Sequence, residues 1–400
     1  MHLRHLFLHH FKNYRQCRLT FGAGTNLISG PNGSGKTNLL DAIYYLCFCK
    51  SYFQAVEANN MQHGTRFFRI DATFDTHAGE EQITVKYAGG QKKDFLRNQV
   101  CYDKLSEHIG LLPLVIITPD DISLVKGGSE ERRRLLDTAL SQIDRGYLQA
   151  LIAYSKLMQQ RNALLKKFAD DRFFDAALLD TYTAQLIEPA TLIHEKRQWI
   201  AQKITPVLQQ YYETLCNGKE QINCSYKSPL NDTPFAVLLQ QNAALDRQLM
   251  RTAEGPHRDD LTFYIDDYPL KKFGSQGQQK SFLIALKLAV FSLLADHKKN
   301  SPILLLDDIF DKLDTQRITR LLQIITCPPF GQVFITDTQY ERTTAILQQL
   351  NVPFDAYQQP LQQQQLPMAA AVLGMAAESE GIYEVGERID EAGEEDLMNT

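Results

Sequence analysis

No stretch of this 400-residue chain approaches the roughly 18–20 consecutive apolar residues that a membrane-spanning helix needs. Membrane insertion is therefore not expected. Met1-His2-Leu3-Arg4-His5-Leu6 leads into a strand-like segment and not into a cleavable signal. Cysteine is scarce as well: seven residues, odd in number and scattered. Cys47 and Cys49 stand too close together for a C-x-x-C site, and no histidine cluster joins them. A disulfide scaffold is excluded on this count, and reduced thiols in a cytoplasmic protein are expected. What remains is 44% apolar and 22% charged residues, an ordinary globular composition. The length suits two or three packed units.

A strong charge of either sign is lacking too. The net charge is −5, but residues 371–400 carry nine acidic side chains and one basic, Arg388. That segment alone is −8, so the rest of the chain is +3. A mildly basic body with an acidic tail permits a nucleic-acid partner without requiring one.

Glycine and proline are almost absent from residues 129–215, where helical spacing prevails. Leu148, Leu151, Ile152, Tyr154, Ser155 and Met158 mark one i, i+3, i+4, i+7 face. Leu186, Ile187, Ala190, Ile193, Arg197 and Ile200 mark another. Two or three long helices are predicted there, broken near residues 168–175. The flanks are mixed. Alternating strands are predicted over residues 69–74 and 82–87, and a short buried strand over 114–117. A helix is expected from Asp232-Thr233-Pro234 to about Met250, a strand at 262–265 and a long helix from Ser275 to about Leu294. Residues 302–306 and 332–336 read as strands, the first fully apolar, as in a buried parallel sheet. The Gln-rich acidic residues 358–400 cannot bury a core and are expected to be disordered.

Residues 30–37, Gly30-Pro31-Asn32-Gly33-Ser34-Gly35-Lys36-Thr37, fit G-x-x-x-x-G-K-[ST], the phosphate-binding P-loop. Glycines let the backbone curl its N–H groups toward a phosphate. Lys36 supplies a cation for the β/γ-phosphates, and the Thr37 hydroxyl suits Mg²⁺. A strand before the loop and a helix after it are both readable, and a helix N-terminus favours anions. Leu304-Leu305-Leu306-Asp307-Asp308 suits a Walker B element. Its strand delivers Asp307 to the carboxyl edge of the sheet as a Mg²⁺ ligand, and Asp308 faces the γ-phosphate to orient water. Ser275 is a plausible cap for the helix that begins Ser275-Gln276-Gly277-Gln278-Gln279.

The order of P-loop, long insertion, this Ser-Gln-Gly-Gln-Gln segment and Walker B resembles the ATP-binding-cassette class. The expected fold is therefore α/β: an ABC-ATPase-like P-loop domain with a mixed sheet, plus an inserted α-helical domain. Expected boundaries are 1–128 and 246–357 for the ATPase halves and 129–245 for the insertion. The resemblance implies a dimer whose signature motif (Ser275, Gly277 and Gln278) closes over ATP held by another copy. Asp311-Lys312-Leu313-Asp314 sits where the class has its D-loop. Three further segments narrow the match: Phe11-Lys12-Asn13-Tyr14-Arg15, residues 119–127 and Glu254-Gly255-Pro256-His257-Arg258-Asp259-Asp260. Together these resemble the RecF family, relatives of the SMC-type proteins without their long coiled coil. Over residues 1–357 that resemblance implies slow ATP hydrolysis, ATP-dependent dimerisation and binding to single-stranded or gapped DNA. It also implies RecR- and RecO-like partners in loading recombinase, with links to replication and the SOS response. An ATP-switched DNA clamp with incidental hydrolysis is the alternative.

Three departures stand out. Asp308 occupies a position where many cassette ATPases have Glu. No histidine follows residue 336, so Thr336, Asp337 or Thr338 must replace the switch residue or the role is absent. The acidic tail has no counterpart in the family pattern. For DNA, phosphate binding needs cations on a common face. The candidates are Arg15 with Arg4, Lys12 and Arg18; Lys92 and Lys93 with Arg97; and the triplet Arg132, Arg133 and Arg134, which Glu130 and Glu131 adjoin.

Overall fold

The computed structural model describes residues 1–218 and 220–359. Five strands form a parallel sheet in the order Phe354–Gln358, Thr25–Ser29, Val333–Asp337, Ile303–Leu306, Leu114–Ile117. Alternate side chains enter two different cores. Leu304, Leu306, Val333 and Ile335 pack with the helical half of the molecule. Ile303, Leu305 and Phe334 pack with the P-loop helix, Lys36–Phe48, and a second sheet. Burial on both faces is why these strands are apolar at nearly every position.

The second sheet is antiparallel, in the order Tyr14–Thr20, His2–Phe11, Phe67–Thr76, Gly79–Ala88, Asp94–Arg97, Val100–Cys101. One face alternates into the core through Leu6, Leu8, Phe68, Ile70, Ile83 and Val85. The other faces solvent, as the period-2 pattern dictates. The parallel and antiparallel pairing expected from sequence is thus carried by separate sheets.

Three long helices follow: Ser129–Ile143, Arg145–Asp170 and Ala176–Cys216. The break falls between residues 170 and 176, inside the predicted interval. Asp144 and Asp175 cap the second and third helices, accepting from the N–H groups of Gly146 (2.8 Å) and Leu178 (3.0 Å). The single helix expected up to Met250 is instead two, Phe235–Gln241 and Ala243–Leu249. Asn242 separates them, its side-chain amide turned back to the Leu238 carbonyl at 2.9 Å, a local bond that competes with the helix.

Ile222–Lys227 pairs antiparallel with Asp260–Ile265. A boundary at residue 245 would pass between bonded strands. We therefore propose that the long helices and the segment around Ser275 form one lobe. At the other end, Phe354–Gln358 pairs in parallel with Thr25–Ser29, and the Gln359 N–H donates to the Ser29 carbonyl at 2.7 Å. Disorder expected from residue 358 is corrected here: Gln358 and Gln359 belong to the ordered sheet edge, because a strand beside the P-loop strand satisfies their backbone. Residues 360–400, and with them the rest of the expected tail, lie outside the described residues.

Segment 254–260 ties the helices to this lobe. Buried Arg197 holds Asp137 (2.8 and 2.9 Å), Asp259 (3.1 Å) and the Pro256 carbonyl (2.7 Å). Tyr226 donates to the same Asp259. His257 accepts from the Tyr154 hydroxyl (2.8 Å) and donates to the Thr252 carbonyl (3.2 Å), so it supports this turn. Replacing Arg197→Met leaves the buried Asp259 and the half-buried Asp137 without their cation. A loss of about 3–5 kcal/mol in urea-unfolding stability is expected; a loss below about 1 kcal/mol contradicts the assignment.

His108 is also buried, between the Leu46 carbonyl (2.7 Å) and the Tyr102 hydroxyl (3.1 Å), at the end of the P-loop helix. Burial lowers its pKa from 6.5 to about 4. The unfolded chain therefore takes up a proton between pH 6.5 and 4 that the native state refuses, and stability falls as pH drops through that window. Replacing His108→Asn removes up to ~3 kcal/mol of that acid sensitivity. Unfolding midpoints at pH 7.5 and 5, compared between the two proteins, measure it; an unchanged pH dependence contradicts it.

Candidate functional site

The carboxyl edge of the parallel sheet gathers the motif residues. The P-loop leaves Thr25–Ser29, and Asp307 leaves Ile303–Leu306, with Val333–Asp337 between the two. Pro31, Asn32 and Gly33 are exposed at the tip of the loop, while Lys36 is buried at the helix start. Gly33 (φ 78°) and Gly35 (φ 103°) take left-handed conformations that only glycine adopts without strain. A Cβ on Gly35 would also strike the Asn13 amide. Asn13 donates to the Ser34 carbonyl (3.3 Å) and accepts from the Asn38 amide (2.8 Å). Tyr14 donates to the Gly35 carbonyl (3.0 Å), and Gln359 donates to Tyr14 (2.7 Å). Sequence reasoning gave these bracing residues no role, although Asn13 and Tyr14 lie in a segment that it singled out.

The Thr37 hydroxyl donates to Asp307 at 3.0 and 3.1 Å. Thr336, on the intervening strand, donates to Asp307 at 2.9 Å and accepts from the Asp308 N–H at 2.9 Å. Asp307 is 4% exposed, and burial raises its pKa against the two hydroxyls, which lower it. Asp308 takes a left-handed conformation (φ 44°), a strained one that places its carboxylate 3.7 Å from the Lys36 ammonium. Lys36 also donates to the carbonyls of Gly30 (3.0 Å) and Pro31 (3.3 Å). Asp337 is tied to Arg342 (3.2 Å) and Thr343, so of the three residues considered for the switch position Thr336 touches both Walker B acids.

These residues fit a nucleotide and its metal. The Ser34 hydroxyl is buried in the loop with no hydrogen-bond partner among the described residues. Lys36 is held by backbone carbonyls that a phosphate can replace. Thr37 and Asp307 offer two hard oxygen ligands side by side, enough for a Mg²⁺ that keeps water and phosphate oxygens. Among the described residues no group of three or more His, Cys, Asp and Glu forms a self-sufficient metal site.

Ser275 caps the helix Gln276–His297 in a capping box: it accepts from the Gln278 N–H (3.2 Å), and the Gln278 side chain accepts from the Ser275 N–H (2.7 Å). Gln278 also donates to Glu220 (2.6 Å), and Gln279 to the carbonyls of Gly274 (3.0 Å) and Leu270 (3.2 Å). Above Gly277 lies the Arg317 guanidinium, 2.7 Å from where a Cβ would be. Arg317 had no signal in the sequence beyond its place after the D-loop position. All these contacts of the signature residues are with their own lobe and none is with the P-loop. The structure therefore does not bring Ser275, Gly277 and Gln278 onto the P-loop of the same chain, which is what a site shared between copies requires.

The DNA candidates divide by whether their charge is already matched. Arg132 forks onto Asp260 (2.7 and 3.1 Å), and Lys93 pairs with Glu57 and the Cys49 carbonyl (2.7 Å). Arg133 donates to Ser129 (2.6 Å) and to the Asp259 carbonyl (2.7 Å). These three are held by internal acceptors, so in this structure their charge is at least partly matched within the chain. Arg134 is exposed and pairs with Glu130 at 3.2 Å. Lys92 and Arg15 are exposed.

The model of the RecF/RecN/SMC N terminal domain matches residues 2–357. The DNA replication and repair protein RecF of Flavobacterium johnsoniae is 46% identical over 87% of this chain and 97% of its own. A solved structure of the recombination mediator protein RecF-ATPrS in the RecFOR pathway superposes with a TM-score of 0.80 at 27% identity, covering 89% of this chain and 95% of the other. The corresponding RecF-ATP structure gives a TM-score of 0.78 at 28% identity, with 84% and 92% covered. A family match over residues 2–357 and a relative 46% identical along nearly its whole length show that the chain belongs to the RecF family.

Proposed function

We propose that this protein is a DNA-binding ATPase of recombinational repair, in which ATP joins two copies and hydrolysis, being slow, releases them. The observation that carries the reading is the continuous contact from Lys36 through Asp308 and Thr336 to Asp307 and Thr37. It supports the reading by bringing together groups suited to phosphate and metal, while the Ser275 segment makes its contacts elsewhere.

In this reading Lys36 exchanges its carbonyl partners for the β- and γ-phosphates, and the loop amides with Ser34 cradle them. Thr37 turns its lone pair, and Asp307 its carboxylate, toward Mg²⁺. Bound Mg²⁺ and ATP supply the concentrated charge on which a second copy closes. Ser275 and Gly277 of that copy cap the γ-phosphate, with Gln278 holding the capping box that orients Ser275. Asp308 positions water. Its carboxylate is one methylene shorter than that of glutamate and is pinned toward Lys36, which suits slow turnover. The place of a solved relative in the RecFOR pathway supports partners of the RecR and RecO kind, and the relatives' naming for DNA replication and repair supports a DNA substrate, which we take to be single-stranded or gapped. No helix among the described residues is long and apolar enough to cross a membrane, in keeping with a cytoplasmic repair role.

Two outcomes test this. Replacing Lys36→Arg abolishes ATP-dependent dimerisation in sedimentation velocity; a dimer unchanged by the substitution contradicts the switch. Mixing Lys36→Arg protein with Ser275→Arg protein restores part of the ATPase activity that each lacks alone, because one of the two shared sites then has both intact halves. Sites contained within one chain give no such recovery.

A further inference from the structure

The solvent face of the antiparallel sheet carries an arrangement that the nucleotide site does not use. On a sheet with one face to water, outward positions are normally polar. Here, at the end nearest the P-loop, they include Phe7, His9 and Phe67, none of them fully buried. The rings form one cluster. Phe7 and His9 are 6.2 Å apart between centroids, His9 and Phe67 5.3 Å, and His10 stands 4.1 Å from His9 and 5.0 Å from Phe67. Strand register lays cations across the same face. Gln16, His9, Arg69 and Lys86 stand opposite one another across four strands, and Arg18, Phe7, Asp71 and Thr84 form the next row. The Arg18 guanidinium lies over the Phe7 ring, 5.4 Å from its centroid.

Charge on this face is uneven. Arg69 is forked onto Asp71 (2.7 and 2.9 Å), and Asp94 stands opposite Lys86. Asp75 and Glu80 lie toward the far end, with Arg4 and His2. Arg15 and Arg18 are exposed and have no carboxylate within ion-pair distance among the described residues. Burial first, then His10, Arg69 and Arg15 lower the pKa of His9 against Asp71, and burial and then Arg15 lower that of His10. Unmatched cations beside half-buried rings that still reach solvent are what a single-stranded nucleic acid needs, its phosphates taken by arginine and its unpaired bases stacked on π-faces. A duplex offers no free base faces to such rings.

We propose that this face is a docking surface for single-stranded DNA, with Phe7, His9 and Phe67 stacking bases and Arg15 and Arg18 taking phosphates. The proposal rests on the DNA-binding reading above and names its surface. The turn after His2–Phe11 also carries Asn13, which bonds the Ser34 carbonyl at 3.3 Å, so the strand would lie beside the nucleotide loop.

Fluorescence anisotropy with a labelled oligothymidylate and with a duplex of equal length, both in the presence of ATP, tests it. The double variant Phe7→Ala/His9→Ala weakens single-strand binding about 10-fold or more, while duplex binding changes less than about twofold. Phe7→Tyr binds as the parent does. The pair Arg15→Gln/Arg18→Gln lowers the slope of log affinity against log salt by about 1.4. ATP-dependent dimerisation, measured alongside, reports that each variant is folded. Unchanged single-strand affinity in the ring variant, with the parent still binding gapped DNA, overturns the surface and leaves the wider reading standing. Equal losses on single strand and duplex overturn the stacking assignment. A parent that binds no DNA at all overturns the DNA-binding reading itself.

Discussion

The contact on which the rest depends joins the Thr37 hydroxyl to the Asp307 carboxylate across 270 residues of sequence. It works because three parallel strands end at one edge, and because the middle one places Thr336 against the same carboxylate. A buried carboxylate is costly unless its lone pairs are used. Two hydroxyls and the nearby Lys36 meet that cost here without any group being locked in a saturated ion pair. The site is therefore held together yet leaves its ligating oxygens available. The same geometry explains Asp308: the chain must turn through a left-handed residue to keep both acids on one edge.

Around this edge the apolar packing of the sheet against the helices is supplemented by a few buried polar links. Lys287 of the long signature helix reaches Asp121 (2.8 Å) and the Ile116 carbonyl (3.0 Å) at the end of an outer strand of the parallel sheet. Arg197 and segment 254–260 hold the long helices to the strands that precede the signature. Lys12 pairs with buried Asp41 and fixes the first hairpin on the P-loop helix. Each link is a charge paired inside the protein, and each is strongly destabilising if only one partner is removed. They make the nucleotide edge, the signature and the solvent-facing sheet parts of one framework.

The local motifs were legible in the sequence because each has its mechanism in consecutive residues. The P-loop needs glycine at fixed offsets, Walker B needs an apolar strand ending in acids, and the break between the long helices shows as a change of texture near residue 170. Long-range consequences were not legible. Nothing in the spacing of Arg132 or Lys93 distinguishes a DNA contact from an internal ion pair, since the answer depends on Asp260 and Glu57, far away in sequence. No strand is legible at Phe354–Gln358 beside the P-loop strand, and disorder is expected from residue 358, because this short segment runs straight into glutamines. Arg317 over Gly277 and Asn13 over Gly35 arise only from tertiary approach. The outward rings on His2–Phe11 and Phe67–Thr76 gained meaning only once the register set them side by side.

The central claim is that ATP binding holds two copies together on DNA and that hydrolysis lets them part. The lifetime of the dimer on gapped DNA, measured with ATP and with a non-hydrolysable analogue, tests it most directly. The account predicts a dimer that persists much longer with the analogue and dissociates with ATP at the rate of hydrolysis. Equal lifetimes with the two nucleotides would contradict it.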